Sequence, residues 1–253
     1  MTHLVAYSGG IGSFFAAIRV VAAFGKSNTQ LVFTDTKTED EDLYRFINET
    51  IAFLGCELVT LTDGRDIWDV FNDVRYMGNS RIDPCSRVLK RESFEKWLKG
   101  RYSPEQATLY YGIDWTEAHR EVKLRDRWAP YQVEAPLTEE PFLTKKEMFQ
   151  ELKVMGIEPP RLYSMGFPHN NCGGFCVKTG QAQFKLLWEK LPERYLEHEA
   201  KQEALFKKIG KRGFIRKTVN GKMHYLSMRE FREFLTAGGN VDQYDFGGCE
   251  CFT

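Results

Sequence analysis

Apolar positions in this chain fall into two alternating patterns. Short, mainly apolar runs at residues 4–7, 30–35, 57–61 and 107–114 have the length of buried strands. Longer stretches between them repeat at helical spacing. Residues 14–24 are almost wholly apolar, broken by Arg19, which predicts a largely buried helix beginning near Ser13. The acidic run at 38–42 opens a helix to about Leu54, with Leu43, Phe46, Ile47, Ile51 and Leu54 on one side. Strands buried on both faces and alternating with helices imply a parallel sheet joined by right-handed crossovers.

The remaining pattern is mainly helical. Residues 66–76 and 86–98 read as helices, and Thr144 with Glu147 forms a capping box ahead of another. Residues 183–209 read as one helix whose apolar side carries Phe184, Leu187, Leu191, Tyr195, Leu205 and Phe206. Val219-Asn220-Gly221-Lys222 is a hairpin signal, followed by a short helix over 227–235. The expected fold class is α/β: a doubly wound parallel sheet of five-stranded, Rossmann-like type, with a helical and β-hairpin appendage. The expected division is 1–182 for the α/β domain and 183–253 for the appendage.

Composition narrows this little. The chain has 253 residues, 42% hydrophobic and 28% charged, with net charge zero. Overall charge therefore predicts no nucleic-acid partner, and any such surface is a local patch. No apolar run approaches membrane-spanning length, and the start is unlike a signal peptide, so no membrane and a cytoplasmic location are expected. Six cysteines without an export signal point to thiol chemistry, a metal or catalysis rather than a disulfide framework.

The first strand runs into Ser8-Gly9-Gly10-Ile11-Gly12-Ser13. Glycines let the backbone approach a ligand, and free N–H groups at a helix start favour a phosphate. Ser8 and Ser13 add hydroxyl donors. Neither the G-x-x-x-x-G-K-[ST] nor the G-x-G-x-x-G pattern is present. The loop resembles the S-G-G-x-D-S loop of the PP-loop ATP pyrophosphatase superfamily, which includes tRNA thiolation enzymes, phosphoadenylylsulfate reductases and cyano-deazaguanine synthase. Gly12 stands where that family usually has Asp. The resemblance spans roughly residues 3 to 190. It implies that Ser8, Gly9, Gly10, Gly12 and Ser13 hold ATP phosphates while the α-phosphate is attacked.

Other candidates follow along the chain. Thr34 and Asp35 end the second strand, on the same rim as the loop; Asp35 either orients ribose or a metal, or caps a turn. Gly112, Ile113 and Asp114 loosely resemble the second nucleotide motif of the superfamily. Asp114 and Glu117 are candidates for Mg²⁺ or base chemistry, and Arg120 for phosphate charge. In Pro84-Cys85-Ser86-Arg87, a helix start with Arg87, Lys90 and Arg91 following favours the Cys85 thiolate. Asp114, Cys85, Arg87, Lys90 and Arg120 form the candidate catalytic set.

Cys172-Gly173-Gly174-Phe175-Cys176 is a knuckle that lets both sulfurs face one point, and His169 precedes it. With Cys85 the pair supplies three ligands for an iron–sulfur cluster; with Cys249 and Cys251 it closes a four-thiolate zinc site; alone it is a redox or structural pair. Cys56 reads as a core thiol. Residues 207–222 carry seven Lys/Arg and no acid, with Phe214 and Tyr225 nearby: either a grip on a phosphodiester backbone or a solvated hairpin.

The leading function is an ATP-dependent modification enzyme forming AMP and pyrophosphate, with sulfur transfer to a nucleic-acid base or nucleoside. ATP, Mg²⁺ and an iron–sulfur cluster (or zinc) are the expected cofactors, and a sulfur donor protein an expected partner. The alternatives are a sulfonucleotide reductase like the phosphoadenylylsulfate enzymes and a nucleotide-binding module without turnover.

Overall fold

The first apolar run forms β1 (Thr2–Ala6), and the glycine turn delivers the chain into α1 (Ile11–Phe24). The computed structural model describes residues 1–79, 81–219 and 222–248. After β2 (Thr29–Asp35), Asp40 caps α2 (Glu41–Leu54) by accepting from the Asp42 N–H, so the acidic run serves partly as a cap. Then come β3 (Glu57–Thr62), α3 (Ile67–Asp73) and a continuous helical stretch: α4 (Pro84–Ser86), a π-helical segment (Arg87–Glu92) and α5 (Ser93–Lys99). β4 (Ala107–Tyr111), α6 (Arg120–Trp128) and β5 (Gln132–Glu134) complete the sheet.

The five strands are parallel in the order β3-β2-β1-β4-β5. One face packs Val5, Tyr7, Leu31 and Phe33 against α1 and α2. The other packs Leu4, Ala6 and Val32 against α5 and α6. The winding direction reverses between β1 and β4, which opens a crevice beyond their carboxyl ends. The loops after β1 and β4 meet there.

α7 (Lys145–Met155), with its Thr144–Glu147 capping box, closes over the first face, and α8 (Arg161–Ser164) follows. The helix expected over 183–209 is two helices, α9 (Gln181–Lys190) and α10 (Pro192–Ile209). Pro192 cannot donate to the preceding turn and starts a new helix instead. β6 (Ile215–Val219) and β7 (Lys222–Leu226) form the expected antiparallel hairpin, whose turn lies outside the described residues, and α11 (Met228–Thr236) follows. A second core joins Trp68 and Phe71 of α3 to Tyr195, Leu205 and Phe231, so this region packs directly on α3. Among the described residues no helix is long and apolar enough to cross a membrane.

Candidate nucleotide site

The turn after β1 is closed by its own serines. Ser13 Oγ donates to the Gly10 carbonyl at 2.8 Å and accepts from the Ser8 N–H at 3.2 Å; the Gly10 N–H reaches Ser8 Oγ at 3.3 Å. Gly9 takes φ +72°, and a Cβ there would meet Leu43 at 2.5 Å. Gly10 caps α1 with no side-chain bond to its N–H groups. The first N–H groups of α1 therefore face the crevice with the positive end of the helix dipole, ready for an anion.

Across from it stands the loop after β4. A Cβ on Gly12 would lie 2.8 Å from the Gly112 carbonyl oxygen, and one on Gly112 would lie 2.5 Å from the Ser13 nitrogen. Two backbones thus touch at the floor of the site, and their closeness leaves no room for the family's Asp at position 12. The cavity above has a volume of about 520 Å³, lined by Ser8, Gly10, Gly12, Ser13, Gly112, Ile113, Asp114, Glu117 and Arg120, with Lys90 and Lys145. That volume suits a nucleotide-sized ligand.

The far wall carries the charges. Asp114 accepts from the Thr116 N–H at 2.8 Å, and Arg120 pairs with Glu117 at 2.8 Å. Arg120 Nε is buried with no hydrogen-bond partner among the described residues. Burial pushes the Lys145 pKa down, while the charges of Asp114 and Glu117 pull it up; its ammonium donates to the Pro168 carbonyl. Lys145 was legible in the sequence only as a helix start. Asn170, 3% exposed, also lines the cavity, and neither end of its amide has a hydrogen-bond partner among the described residues. His169 stands beside it on the same wall.

A second, smaller cavity of about 20 Å³ adjoins the first. Cys85, Cys172 and Cys176 all line it, so the structure does bring together the three cysteines that the sequence scatters. Lys90 lines both cavities. A π-helical turn, a frequent mark of functional sites, carries Lys90, which is buried and pairs with the equally buried Glu39 at 3.7 Å. Glu39 also accepts from the Thr36 hydroxyl at 3.0 Å and the Cys172 N–H at 2.6 Å. Cys172 and Gly173 adopt left-handed backbone angles, as the expected knuckle requires. Arg194 ties the knuckle down, donating to the Gly173 carbonyl at 2.8 Å and pairing with Asp40 at 2.7 Å. Burial opposes charge on Asp40, but hydrogen bonds from Arg161 and Arg194 prevail and hold its carboxyl below the ordinary range.

The donor set at this cavity is right for a soft metal, but its geometry is not. Among the described residues no three His, Cys, Asp or Glu side chains are grouped to hold an ion. The cavity has room for about one water, far less than an iron–sulfur cluster. Cys249 and Cys251 lie outside the described residues. Cys56 is a core thiol whose pKa is pushed up by burial.

Some candidates stand away from the cleft. Asp35 accepts from the Tyr44 hydroxyl at 2.9 Å and the Lys37 N–H at 2.8 Å, and neither it nor Thr34 lines the cavity. Arg87 is exposed and 3.8 Å from Glu92. The carboxyl-terminal segment returns instead: Asp245 accepts from the Gln181 N–H at 3.1 Å, and Phe246, Gly247 and Gly248 line the cleft.

Fold and site together define an α/β protein with a glycine- and serine-lined cleft at the crevice between β1 and β4. No family model matches the chain. No curated protein matches it. Among solved structures it is similar to a phosphoadenylyl-sulfate (PAPS) reductase from Candida auris, 12% identical over 66% of this chain and 79% of that one, with a TM-score of 0.47. It is also similar to an NH3-dependent NAD synthetase from Campylobacter jejuni, 13% identical over 82% and 83%, with a TM-score of 0.41.

Proposed function

We propose that the chain is an ATP-dependent modification enzyme that forms AMP and pyrophosphate and transfers sulfur to a base or nucleoside of nucleic acid. One observation carries this: a helix-start anion cradle faces Arg120 and Lys145 across a nucleotide-sized cleft, with three cysteines lining the cavity next door. The cradle and the cations bind the triphosphate and spread the charge that develops as pyrophosphate leaves. An oxygen of the acceptor attacks the α-phosphorus, and the phosphorus–oxygen bond to pyrophosphate breaks. A sulfur nucleophile then displaces AMP from the activated carbon. Asp114 and Glu117 are the residues that would hold Mg²⁺, whose chemistry is to neutralise phosphate charge. Because the described cysteines form no group placed to hold an ion, no step is routed through a cluster or zinc. The test is to incubate the protein with ATP, Mg²⁺, sulfide and RNA or DNA, then digest to nucleosides for mass spectrometry. An oxygen-to-sulfur mass gain that depends on ATP supports the proposal; AMP formation with every nucleoside unchanged removes the sulfur-transfer part.

A second reading is favoured by the returning carboxyl-terminal segment. Gly248 lines the cleft, and Cys249 and Cys251 follow it in the sequence. A thiol one or three residues beyond a cleft-lining position in the sequence suits attack on the sulfur of a sulfonucleotide, with the nucleotide as leaving group. Replacing both cysteines with Ser should then abolish sulfonucleotide reduction, and unchanged reduction would exclude it.

A further inference from the structure

The sequence marks 207–222 as a basic segment, but the structure sorts its cations differently. Lys208 donates to Asn72, Lys211 pairs with Glu230, and Lys217 lies over the Phe234 ring. Phe214 is buried in the core. The cations that converge are arginines. Arg212 and Arg216 join Arg81, from the distant loop before α4, around a cavity of about 290 Å³. Among the described residues no acidic side chain lines it, and none of the three arginines is in an ion pair. Elsewhere in the chain arginines are commonly paired, as Arg45, Arg65, Arg91, Arg125, Arg161 and Arg232 are. Three like charges gathered without a counter-charge repel one another, and an anionic ligand relieves that repulsion.

The same cavity offers flat apolar surface. Arg216 stands directly opposite Tyr225 in the hairpin register, and Thr218 opposite Met223, so Arg216, Tyr225 and Met223 share one face. Tyr225 is 53% and Met223 55% exposed. Tyr76 lines the opposite wall, its hydroxyl bonded by the Asn79 amide. Arginine forks match phosphate oxygens, and an exposed tyrosine stacks an unpaired base. The wall segment that supplies Asn79 and Arg81 runs on within a few residues to Asp83 and Cys85, which line the cysteine cavity.

We infer that this cavity seats a single-stranded stretch of nucleic acid, the phosphates held by Arg81, Arg212 and Arg216 and one base stacked on Tyr225. The inference rests on the proposed acceptor being a nucleic acid, and it names where that acceptor is gripped. A duplex does not fit it, because paired bases present no free face to Tyr225.

The test uses the full chain and a fluorescein-labelled, mixed-sequence 15-nucleotide RNA, in fluorescence anisotropy without ATP. Tyr225→Ala should weaken binding about fivefold or more. The triple variant Arg81→Ala, Arg212→Ala, Arg216→Ala should weaken it by a larger factor. Its slope of log affinity against log salt should be shallower by about 0.7 for each phosphate no longer neutralised. Replacing the same arginines with Lys should restore most of the slope, and Lys153→Ala, an exposed cation elsewhere, should change nothing. Urea midpoints equal to the parent's exclude misfolding as the cause. Equal affinity for the duplex, unchanged binding in the triple variant, or competition by AMP alone as strong as by the strand would each overturn the inference. Strand binding that needs these residues in a protein that makes no AMP would leave this site standing and remove the proposed reaction. AMP formation in a protein that binds no strand would do the reverse.

Discussion

Gly12 and Gly112 meet backbone to backbone, with space for a Cβ on neither: one on Gly12 would lie 2.8 Å from the Gly112 carbonyl oxygen. This meeting joins the loop after β1 to the loop after β4 and sets the floor of the cleft. It also explains why the position usually filled by Asp in the resembled family is glycine here. Gly12→Asp should therefore lower ATP affinity at least tenfold rather than restore a missing carboxylate. Gly112→Ala, forced against the Ser13 nitrogen, should destabilise the fold by about 1–3 kcal/mol. Isothermal titration with ATP and urea denaturation check the two effects. A Gly12→Asp protein that binds ATP better would show that the loops yield.

Lys145 faces Asp114 and Glu117, and burial brings its pKa below that of an ordinary lysine. Its ammonium is thus lost earlier as pH rises. ATP affinity should fall on the alkaline side before ordinary lysines titrate, and Lys145→Arg, which stays charged, should flatten that fall. Lys145→Met should weaken binding at neutral pH by roughly tenfold, the effect of one charge-assisted hydrogen bond. An identical pH profile in the Arg variant would remove Lys145 from the nucleotide site.

Glu39 and Lys90 are 3% and 5% exposed and pair at 3.7 Å. Removing one member takes the ion-pair partner from a buried charge. Lys90→Met and Glu39→Gln should each cost about 3–5 kcal/mol, and the double variant less than the sum. Chemical denaturation of the four proteins measures this directly. Additive costs would mean that the two groups do not sense each other.

His198 stacks on Phe175 and accepts the Trp68 indole N–H at 2.9 Å. Burial, helped by Lys201 and Arg194, lowers its pKa to about 3. The native state thus holds the ring neutral while the unfolded chain protonates it below about 6.5. Stability should fall with decreasing pH from about 6.5 towards 3, by about 1.4 kcal/mol per pH unit from this group. Between pH 6.5 and 5.5 few carboxylates contribute, and His3, also lowered by burial, shares the range, so His198→Gln should remove part of the slope in urea midpoint and the His3→Gln, His198→Gln double variant most of it. An unchanged slope would place the sensitivity elsewhere.

What the sequence made legible was what local spacing controls. The strands of the parallel sheet are mainly apolar runs, and Thr144 caps its helix with Glu147, three positions on. The cradle at Ser8 to Ser13 is contiguous, so its loop pattern is visible. What stayed hidden depends on distant parts meeting. Lys145 reaches the cleft only because α7 closes over the sheet. Asp35, at the end of its strand, is taken by Tyr44, nine residues on. Arg81 joins Arg212 and Arg216 across more than a hundred residues, a convergence no local window contains.

The central claim is that the cleft presents the α-phosphate of ATP to a nucleophile. Its most direct measurement is the product of ATP turnover, read by ³¹P NMR with Mg²⁺ and nucleic acid present. AMP and pyrophosphate in equal amounts, abolished in Ser13→Ala and Arg120→Ala, are the predicted result. ADP and phosphate, or AMP formation undiminished in both variants, would contradict it.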